Sequence, residues 1–556
     1  MIFKEVIHSI SAKERGLLVW LCIIVIVVTA GPYLFGYLRT PSGTTYTGIH
    51  ALTPGDSNVY YSYLEQVKQG HYLFQDLYTS ETQAYPYFQP FWFLVGTFAK
   101  IFSLPNWLAV QLSRLLLIPL FIFTAYLFIA YLFSDKIKRK LTIFLLLFSS
   151  GLGGLLAPIL ESGKYIAGGY YHWPMDLWVP ESISFLSLYH LPHILASSTL
   201  FLLVFLLILL AWENNCYRYS IGAGIVSFFW FWFHPFHMAT VFSVLGAYLL
   251  ISSIKQKRIL YSKIKHLLIL LLIAAPAVIF YLVFLKIDPL MAGRSVQNIL
   301  TTPVPWMLLI SYGFLGILAI LGFLRSLKIN NEKISFVAVW FMIQLFLLYI
   351  PLAFQRRLTQ NFHFPITILA IVALFSIYRF LSQKFSHKQI NLLLNNKILA
   401  GFLFMIFFAL SNVYVLANDV LLYQNNSYPY FYLADDYSQA MAWLKNNTNW
   451  NDVVLSEEVN GNFIPGMSGR KVYLGHGVET VDYENKKEKV EWFWEKDEES
   501  DKKKEFLAEN GIIYLFYSEA EKELGSFNPE NKKYLKAVFR NQTVTIYQFI
   551  PLERSS

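Results

Sequence analysis

The feature that most constrains this sequence is a series of long apolar runs, each close to the length of a membrane-spanning helix. About 20 apolar residues cross the hydrocarbon core of a bilayer as a helix. Hydrophobic residues make up 55% of the 556 residues and charged residues 15%, against about a quarter charged in ordinary soluble domains. The pattern predicts an all-α polytopic membrane protein with about eleven spans. Nine runs lie at 17–38, 107–133, 141–160, 193–211, 267–285, 307–325, 333–351, 364–380 and 398–417.

The tenth run, 220–252, is too long for one span, and a proline divides it. Pro235 interrupts a helix because it lacks a backbone N–H and its ring clashes with the preceding turn. We therefore expect two helices that meet at the sequence His234-Pro235-Phe236-His237.

Lysines and arginines lie in short loops between the runs, and their distribution predicts the orientation. Cytoplasmic loops of membrane proteins carry an excess of positive charge. The basic clusters fall on one face if the N-terminus is cytoplasmic and the C-terminus lies outside, in a prokaryotic plasma membrane. The net charge of +9 is explained by these loops, so no nucleic-acid partner is expected. The clusters lie at 4–15, 136–140, 255–265, 325–333 and 379–397.

Residues 86–104 are apolar enough to span, but a span there would move the cluster at 136–140 outside. We therefore expect this segment in the membrane interface, within a long outer loop at 39–106. The membrane domain is predicted to cover 1–417, and a small extracytoplasmic α/β domain 418–556. In that domain we expect helices at 437–446 and 484–510, and strands at 452–456, 471–474, 512–517 and within 534–550.

Asp56 is the best candidate for a catalytic group. It follows the first span, and apolar residues at helical spacing predict a short amphipathic helix over 57–70 on the membrane surface. One interpretation is that Asp56 or Ser57 only caps this helix. The other is a general base, kept ionised near the helix N-terminus and able to take a proton from an acceptor hydroxyl.

The second outer loop, 161–192, and the turn at Pro235 carry further polar candidates. Asp176 and Glu181 are predicted to contact substrate, and carboxylates with histidines could also bind a divalent metal. The alternative is a set of interfacial residues that are hydrogen-bonded near span ends. The histidine candidates for substrate binding are His190, His193, His234 and His237.

Three arginines on the predicted outer side run against the positive-inside bias. Arg294, Arg356 and Arg357 therefore require an anionic partner, and guanidinium groups suit phosphate. We predict a phosphate clamp in the sequence 355–363; anchoring to lipid head groups is the alternative.

The tail contains two glycine-containing stretches, 461–466 and 469–480. Glycine often marks a tight backbone, and a loop is the simpler interpretation of both stretches. His476 and Glu479 lie in the second stretch and could face a substrate.

With these residues in view, the chain resembles the GT-C superfamily of membrane glycosyltransferases, which includes protein O-mannosyltransferases and the lipid A aminoarabinose transferase. The resemblance covers 1 to about 420: a first span, an outer loop with an early acid, a surface helix and an aromatic interfacial segment. It implies inverting transfer from a polyprenyl-phosphate sugar, with Asp56 as base. The family often has an Asp-Glu pair where this chain has Asp56-Ser57, and its second-loop acid matches either Asp176 or Glu181. A divalent metal is therefore left open, and no other cofactor is expected.

The sequence thus predicts a hexosyl- or pentosyltransferase that moves a sugar from a polyprenyl-phosphate carrier to a hydroxyl of a lipid, glycan or protein. The alternative is a transporter or flippase of a lipid-linked sugar. Transporters place ionisable residues near mid-membrane, whereas several spans here are almost free of charge. A non-catalytic scaffold would explain the tail but not the acids and histidines of the membrane part.

Overall fold

The computed structural model describes residues 2–161, 173–384, 404–426, 429–497 and 500–550. Part of the second predicted loop (162–172) and the start of the last predicted span (398–403) lie outside these residues. The chain forms two compact units. The first comprises Met1–Pro32, Leu112–Tyr281 and Leu300–Leu421, and the second comprises Tyr33–Gln111, Leu282–Ile299 and Leu422–Ser556.

The membrane helices confirm the predicted fold class. Eight helices among the described residues are long and apolar enough to cross a bilayer. The run at 220–252 is divided as predicted, into Tyr217–Phe231 and His237–Gln256. Two further predicted spans correspond to helices of 15 and 16 residues, Tyr217–Phe231 and Glu332–Leu347. The eight spans are Ala12–Leu38, Asn106–Leu132, Lys136–Ile159, Pro192–Asn214, His237–Gln256, Tyr261–Ile287, Pro305–Ser326 and Gln355–Gln383.

Shorter elements complete the first unit. One long helix, Pro305–Ser326, is kinked at Gly313, whose φ of 50° lies in the left-handed region that glycine tolerates. The kink leaves the Ile310 carbonyl oxygen to accept from the Leu152 N–H at 2.9 Å. The remaining helices are Ile2–His8, Lys136–Phe148, Gly153–Glu161, Met175–Leu177, Ser184–Tyr189, Gln355–Thr359, His363–Lys384, Met405–Ala409 and Leu410–Asn425.

The second unit joins the first loop to the tail through a small antiparallel sheet. Strand β1 (Thr44–Tyr46) pairs with β2 (Tyr432–Ala434). The helix Pro90–Ile101 lies in the predicted interfacial segment. Its 12 residues span roughly 18 Å, less than the roughly 30 Å of a bilayer core. The other helices are Pro54–Lys68, Pro289–Gln297, Asp435–Asn447, Glu458–Ser468, Tyr483–Glu495, Ser500–Glu509, Glu519–Glu523 and Pro529–Asn531.

The tail contains the predicted α/β arrangement. Its five-stranded sheet has the order β4-β3-β5-β7-β6. Strand β3 runs parallel to β4 and β5, whereas β7 is antiparallel to β5 and β6. Buried Leu455, Leu515, Phe493 and Trp494 belong to the hydrophobic core of this domain. The strands are β3 (Val453–Leu455), β4 (Lys471–Val472), β5 (Ile512–Tyr517), β6 (Leu535–Arg540) and β7 (Thr545–Phe549).

The helix after Asp56 differs from the prediction in its start and its surroundings. It begins at Pro54 rather than at 57, because proline at the first helical position has the required φ and needs no hydrogen bond. Its predicted polar face is buried: Glu65 is 3% exposed and Gln66 is fully buried. Lys445 pairs with Glu65 at 2.6 Å, and Gln66 donates to the Gln75 carbonyl oxygen at 2.9 Å. The amphipathic pattern therefore reflects packing within the second unit on both faces.

Candidate active site

Asp56 lies in the first turn of the helix Pro54–Lys68, which we call the Asp56 helix. Thr53 is the N-cap residue, with a φ of 44°, and no side chain caps the helix. The N-cap interpretation of Asp56 is therefore wrong, because the helix starts two residues before it. An anionic group in the first turn of a helix is stabilised by the unpaired N–H groups and the helix dipole. This position favours the ionised carboxylate that a general base requires.

His476 contacts Asp56 directly, although 420 positions separate the two residues in sequence. Its Nε2 lies 3.0 Å from Asp56 Oδ1. The Asp56 side chain is 44% exposed and the His476 side chain 11%. The carboxylate is thus accessible to a substrate, whereas the imidazole is held inside the protein.

The helix Glu458–Ser468, which we call the Asn462 helix, packs against the Asp56 helix. Asn58 donates from its side-chain amide to Asn462 Oδ1 at 2.8 Å, and Asn462 Nδ2 donates to the Gly55 carbonyl oxygen at 3.4 Å. Asn58 and Asn462 are each 1% exposed. The backbone that carries Asp56 is therefore fixed by buried amide groups of the tail.

The glycines of the tail are close-contact positions, and the prediction of a loop at 461–466 is wrong. These residues lie inside the Asn462 helix. A Cβ on Gly461 would lie 2.0 Å from the Leu474 carbonyl oxygen, and a Cβ on Gly475 would lie 2.3 Å from the Gly461 carbonyl oxygen. Only glycine allows this approach of two backbones, which places the segment before His476 against the Asn462 helix.

Arg294 binds two carboxylates of the second unit. Its Nη1 lies 3.3 Å from Asp76 Oδ2, and its Nη2 pairs with Glu479. The Asp76 side chain is 2% exposed, and burial raises the pKa of its carboxyl although the Arg294 charge acts in the opposite direction. Two acids around one guanidinium leave no positive charge in excess, which favours a structural role for Arg294. Its predicted phosphate-binding role stays a prediction.

The two acids of the second predicted loop differ in burial. Asp176 is fully buried, and its Oδ2 accepts from the Gly153 N–H at 3.1 Å. The adjacent Met175 N–H donates to Ser311 Oγ at 2.8 Å, close to the kink at Gly313. Glu181 is partly exposed. Asp176 thus ties together segments of the first unit, and substrate contact by either acid stays a prediction.

Three of the four predicted histidines gather in the first unit. The rings of His193 and His234 lie 5.3 Å apart between centroids, and those of His234 and His237 lie 5.5 Å apart. His237 Nε2 lies 2.6 Å from Gln360 Oε1, while the Gln360 amide donates to the Ile194 carbonyl oxygen at 2.8 Å. The fourth, His190, is buried at the end of the helix Ser184–Tyr189.

Arg356 and Arg357 lie over aromatic rings in the same unit. The Arg356 guanidinium carbon is 4.4 Å from the centre of the Trp178 ring, and that of Arg357 is 4.6 Å from the Phe236 ring. Cation–π contact orients a guanidinium without neutralising it. A phosphate clamp by these two arginines stays a prediction.

The described residues do not form a metal-binding group. Across 2–161, 173–384, 404–426, 429–497 and 500–550, no three His, Cys, Asp or Glu side chains gather so that they could hold a metal ion. A divalent metal usually needs several such ligands around one point. We therefore derive no catalytic step through a metal.

The comparisons with known proteins give matches by structure. No protein-family model matches the sequence, and no curated protein matches it. The oligosaccharyltransferase AglB from Archaeoglobus fulgidus, solved with an inhibitory peptide and dolichol-phosphate, has a TM-score of 0.54 at 13% identity, covering 91% of this chain and 70% of that one. ArnT from Cupriavidus metallidurans, bound to undecaprenyl phosphate, has a TM-score of 0.52 at 11% identity, covering 97% and 98%.

A third match is the arabinofuranosyltransferase AftD from Mycobacteria. It has a TM-score of 0.54 at 12% identity and covers 98% of this chain but 40% of that chain. All three are GT-C glycosyltransferases. The predicted resemblance to the GT-C superfamily is confirmed at the level of the fold.

Proposed function

We propose that this protein is an integral membrane glycosyltransferase that uses a polyprenyl-phosphate sugar as donor. The single observation that carries the proposal is the placement of Asp56: an exposed carboxylate in the first turn of a helix, held by His476, in a chain with the GT-C fold. The solved proteins with this fold include complexes with dolichol-phosphate and undecaprenyl phosphate. A lipid carrier supplies an activated sugar, so no nucleotide site is required.

In the proposed reaction Asp56 acts as the general base. The carboxylate takes the proton of an acceptor hydroxyl while the oxygen attacks the anomeric carbon. A bond forms between the acceptor oxygen and this carbon, and the bond from the carbon to the phosphate oxygen breaks. Polyprenyl phosphate leaves, the configuration inverts, and the proton on Asp56 passes to solvent. The charge pattern of the loops supports placing this reaction on the extracytoplasmic side.

The leaving phosphate gains negative charge as the bond breaks, and cationic groups aimed at it would lower the barrier. Arg356 and Arg357 are the candidates, because their charges lie against aromatic rings rather than in ion pairs with acids among the described residues. Asp176, Glu181 and the histidines of the first unit are proposed to contact the donor or the acceptor.

The experiment begins with mass spectrometry of the lipids that co-purify with the full-length protein. The identified polyprenyl-phosphate sugar then serves as donor, with candidate lipid, glycan and protein acceptors, and the new linkage is analysed by NMR. Asp56→Asn should reduce transfer at least about 100-fold, since a positioned base contributes about 10² to 10⁴ in rate. Asparagine keeps an oxygen that can accept from His476, so folding should be unchanged.

Asp435→Asn is the matched control. Asp435 lies in the first turn of the helix Asp435–Asn447 in the same unit, and its carboxylate accepts from Thr45 Oγ1 at 2.8 Å. We expect normal turnover from this variant. Normal turnover of Asp56→Asn would remove Asp56 from the mechanism. Movement of the lipid-linked sugar across vesicles without a new glycosidic bond would favour the alternative, a transporter or flippase.

A further inference from the structure

The hydrogen bonds of His476 determine which ring nitrogen carries the proton. Its Nδ1 accepts from two backbone N–H groups, those of Val478 at 3.3 Å and Glu479 at 3.2 Å. A nitrogen that faces two donors has no proton of its own. A neutral imidazole has one donor and one acceptor nitrogen, so the proton is on Nε2, which faces Asp56 Oδ1.

The loop that presents His476 is closed by its own side chains. We call residues 475–480 the His476 loop. Thr480 Oγ1 accepts from the backbone N–H groups of Gly475 at 3.2 Å and His476 at 3.1 Å, and donates to the Tyr78 carbonyl oxygen at 2.8 Å. The Gln297 amide also donates to the Val478 carbonyl oxygen at 3.1 Å. The imidazole therefore has one fixed orientation relative to Asp56.

We propose that His476 is a positioning residue for Asp56, an inference that rests on the proposed function. Its Nε2–H donates to Oδ1 and holds the carboxylate in one orientation toward the acceptor. The ring does not store the proton that Asp56 removes, because protonation of Nδ1 would turn it against the Val478 and Glu479 N–H groups. His476 therefore acts on the geometry of the base, and the abstracted proton leaves Asp56 for solvent.

The first test compares glutamine, asparagine and alanine at position 476 in the full-length protein. A glutamine amide can reach the place of Nε2 and donate to Asp56, whereas an asparagine amide stops near the place of Nδ1. His476→Ala and His476→Asn should lower kcat about 100-fold with little change in the KM for donor and acceptor, as expected for a misplaced catalytic group. His476→Gln should stay within about 10-fold of the wild type.

The Asp56→Asn background separates this inference from the proposed function. Adding His476→Ala to Asp56→Asn should cause no further loss, because the residue acts through Asp56. Wild-type turnover of His476→Ala beside an inactive Asp56→Asn would overturn the positioning role alone. Equal losses in His476→Gln and His476→Ala would also overturn it. Active Asp56→Asn would instead overturn the proposed base.

A second measurement does not depend on turnover. Nitrogen-15 NMR of protein with labelled histidine, with the signal assigned by comparison with His476→Gln, reports the tautomer of this ring. We expect a protonated Nε2 and an unprotonated Nδ1. The opposite tautomer, or a doubly protonated ring, would overturn the inference. Thermal unfolding and gel filtration of each variant verify that the fold is intact.

Discussion

Replacing Gly461 with alanine should move His476 away from Asp56 and lower turnover about 100-fold. The added Cβ would lie 2.0 Å from the Leu474 carbonyl oxygen and 3.1 Å from the Gly475 Cα. Ordinary contact requires about 3.4 Å or more, so the two backbones must separate by roughly 1 Å. Both contacts are with backbone atoms, which cannot rotate out of the way. A displacement of about 1 Å at a catalytic group costs about 100-fold in rate.

The same change alters stability through two opposing effects. Alanine is favoured over glycine inside a helix by about 1 kcal/mol, whereas overpacking costs typically about 1 to 3 kcal/mol. We expect net destabilisation, since the obstacle is backbone. Urea unfolding, followed by tryptophan fluorescence, measures this change, and the sugar-transfer assay measures turnover in the same preparation.

Gly477→Ala is the matched control, because a Cβ on Gly477 would meet only the Tyr483 ring at 3.9 Å. This variant alters the same loop next to His476 but leaves the contact between the two helices and the loop intact. It should retain turnover and stability. Wild-type kinetics in Gly461→Ala, or equal damage from Gly477→Ala, would refute the close-contact explanation.

Three further predictions concern charge. Arg294→Gln should destabilise the fold by about 3 to 5 kcal/mol, measured by urea unfolding, because buried Asp76 loses its partner; adding Asp76→Asn should recover part of the loss, and no recovery would contradict this reading. Burial, aided by a neighbouring carboxylate, raises the pKa of Glu457 from 4.5 to about 7, so stability should be greatest below about pH 4.5 and decrease by up to about 3 kcal/mol as the pH rises through 7. Thermal unfolding between pH 4.5 and 8 tests this, and a flat profile would disprove it. Arg356→Ala and Arg357→Ala should raise the KM for the lipid-linked donor more than that for the acceptor; unchanged donor kinetics would exclude the phosphate clamp.

The sequence predicted the features that depend on local composition. Apolar runs of about 20 residues predicted the membrane helices, and Pro235 predicted the division of 220–252. Alternating segments predicted the α/β tail, because strand and helix periodicity is a property of neighbouring residues. The helix Glu458–Ser468 was missed, since two glycines and Pro465 within it are poor helix formers that tertiary contacts override.

The candidate site was predictable only in part. Asp56 was identified from its place between the first span and a helix, and His476 was singled out only as a possible substrate contact. The contact between Asp56 and His476 joins residues 420 positions apart, and no local pattern encodes such a pairing. Likewise, the partners of Arg294, Asp76 and Glu479, come from distant segments.

Sequence alone thus determined that the chain is a membrane protein, where most of its helices lie, and which acid follows the first span. Hydropathy, helix signals and turn residues act over a few neighbouring positions, so they can be read without the fold. The tertiary structure decided which groups surround that acid, why Gly461 and Gly475 must be glycine, and which nitrogen of His476 carries the proton. These features depend on segments that meet only when the second unit folds.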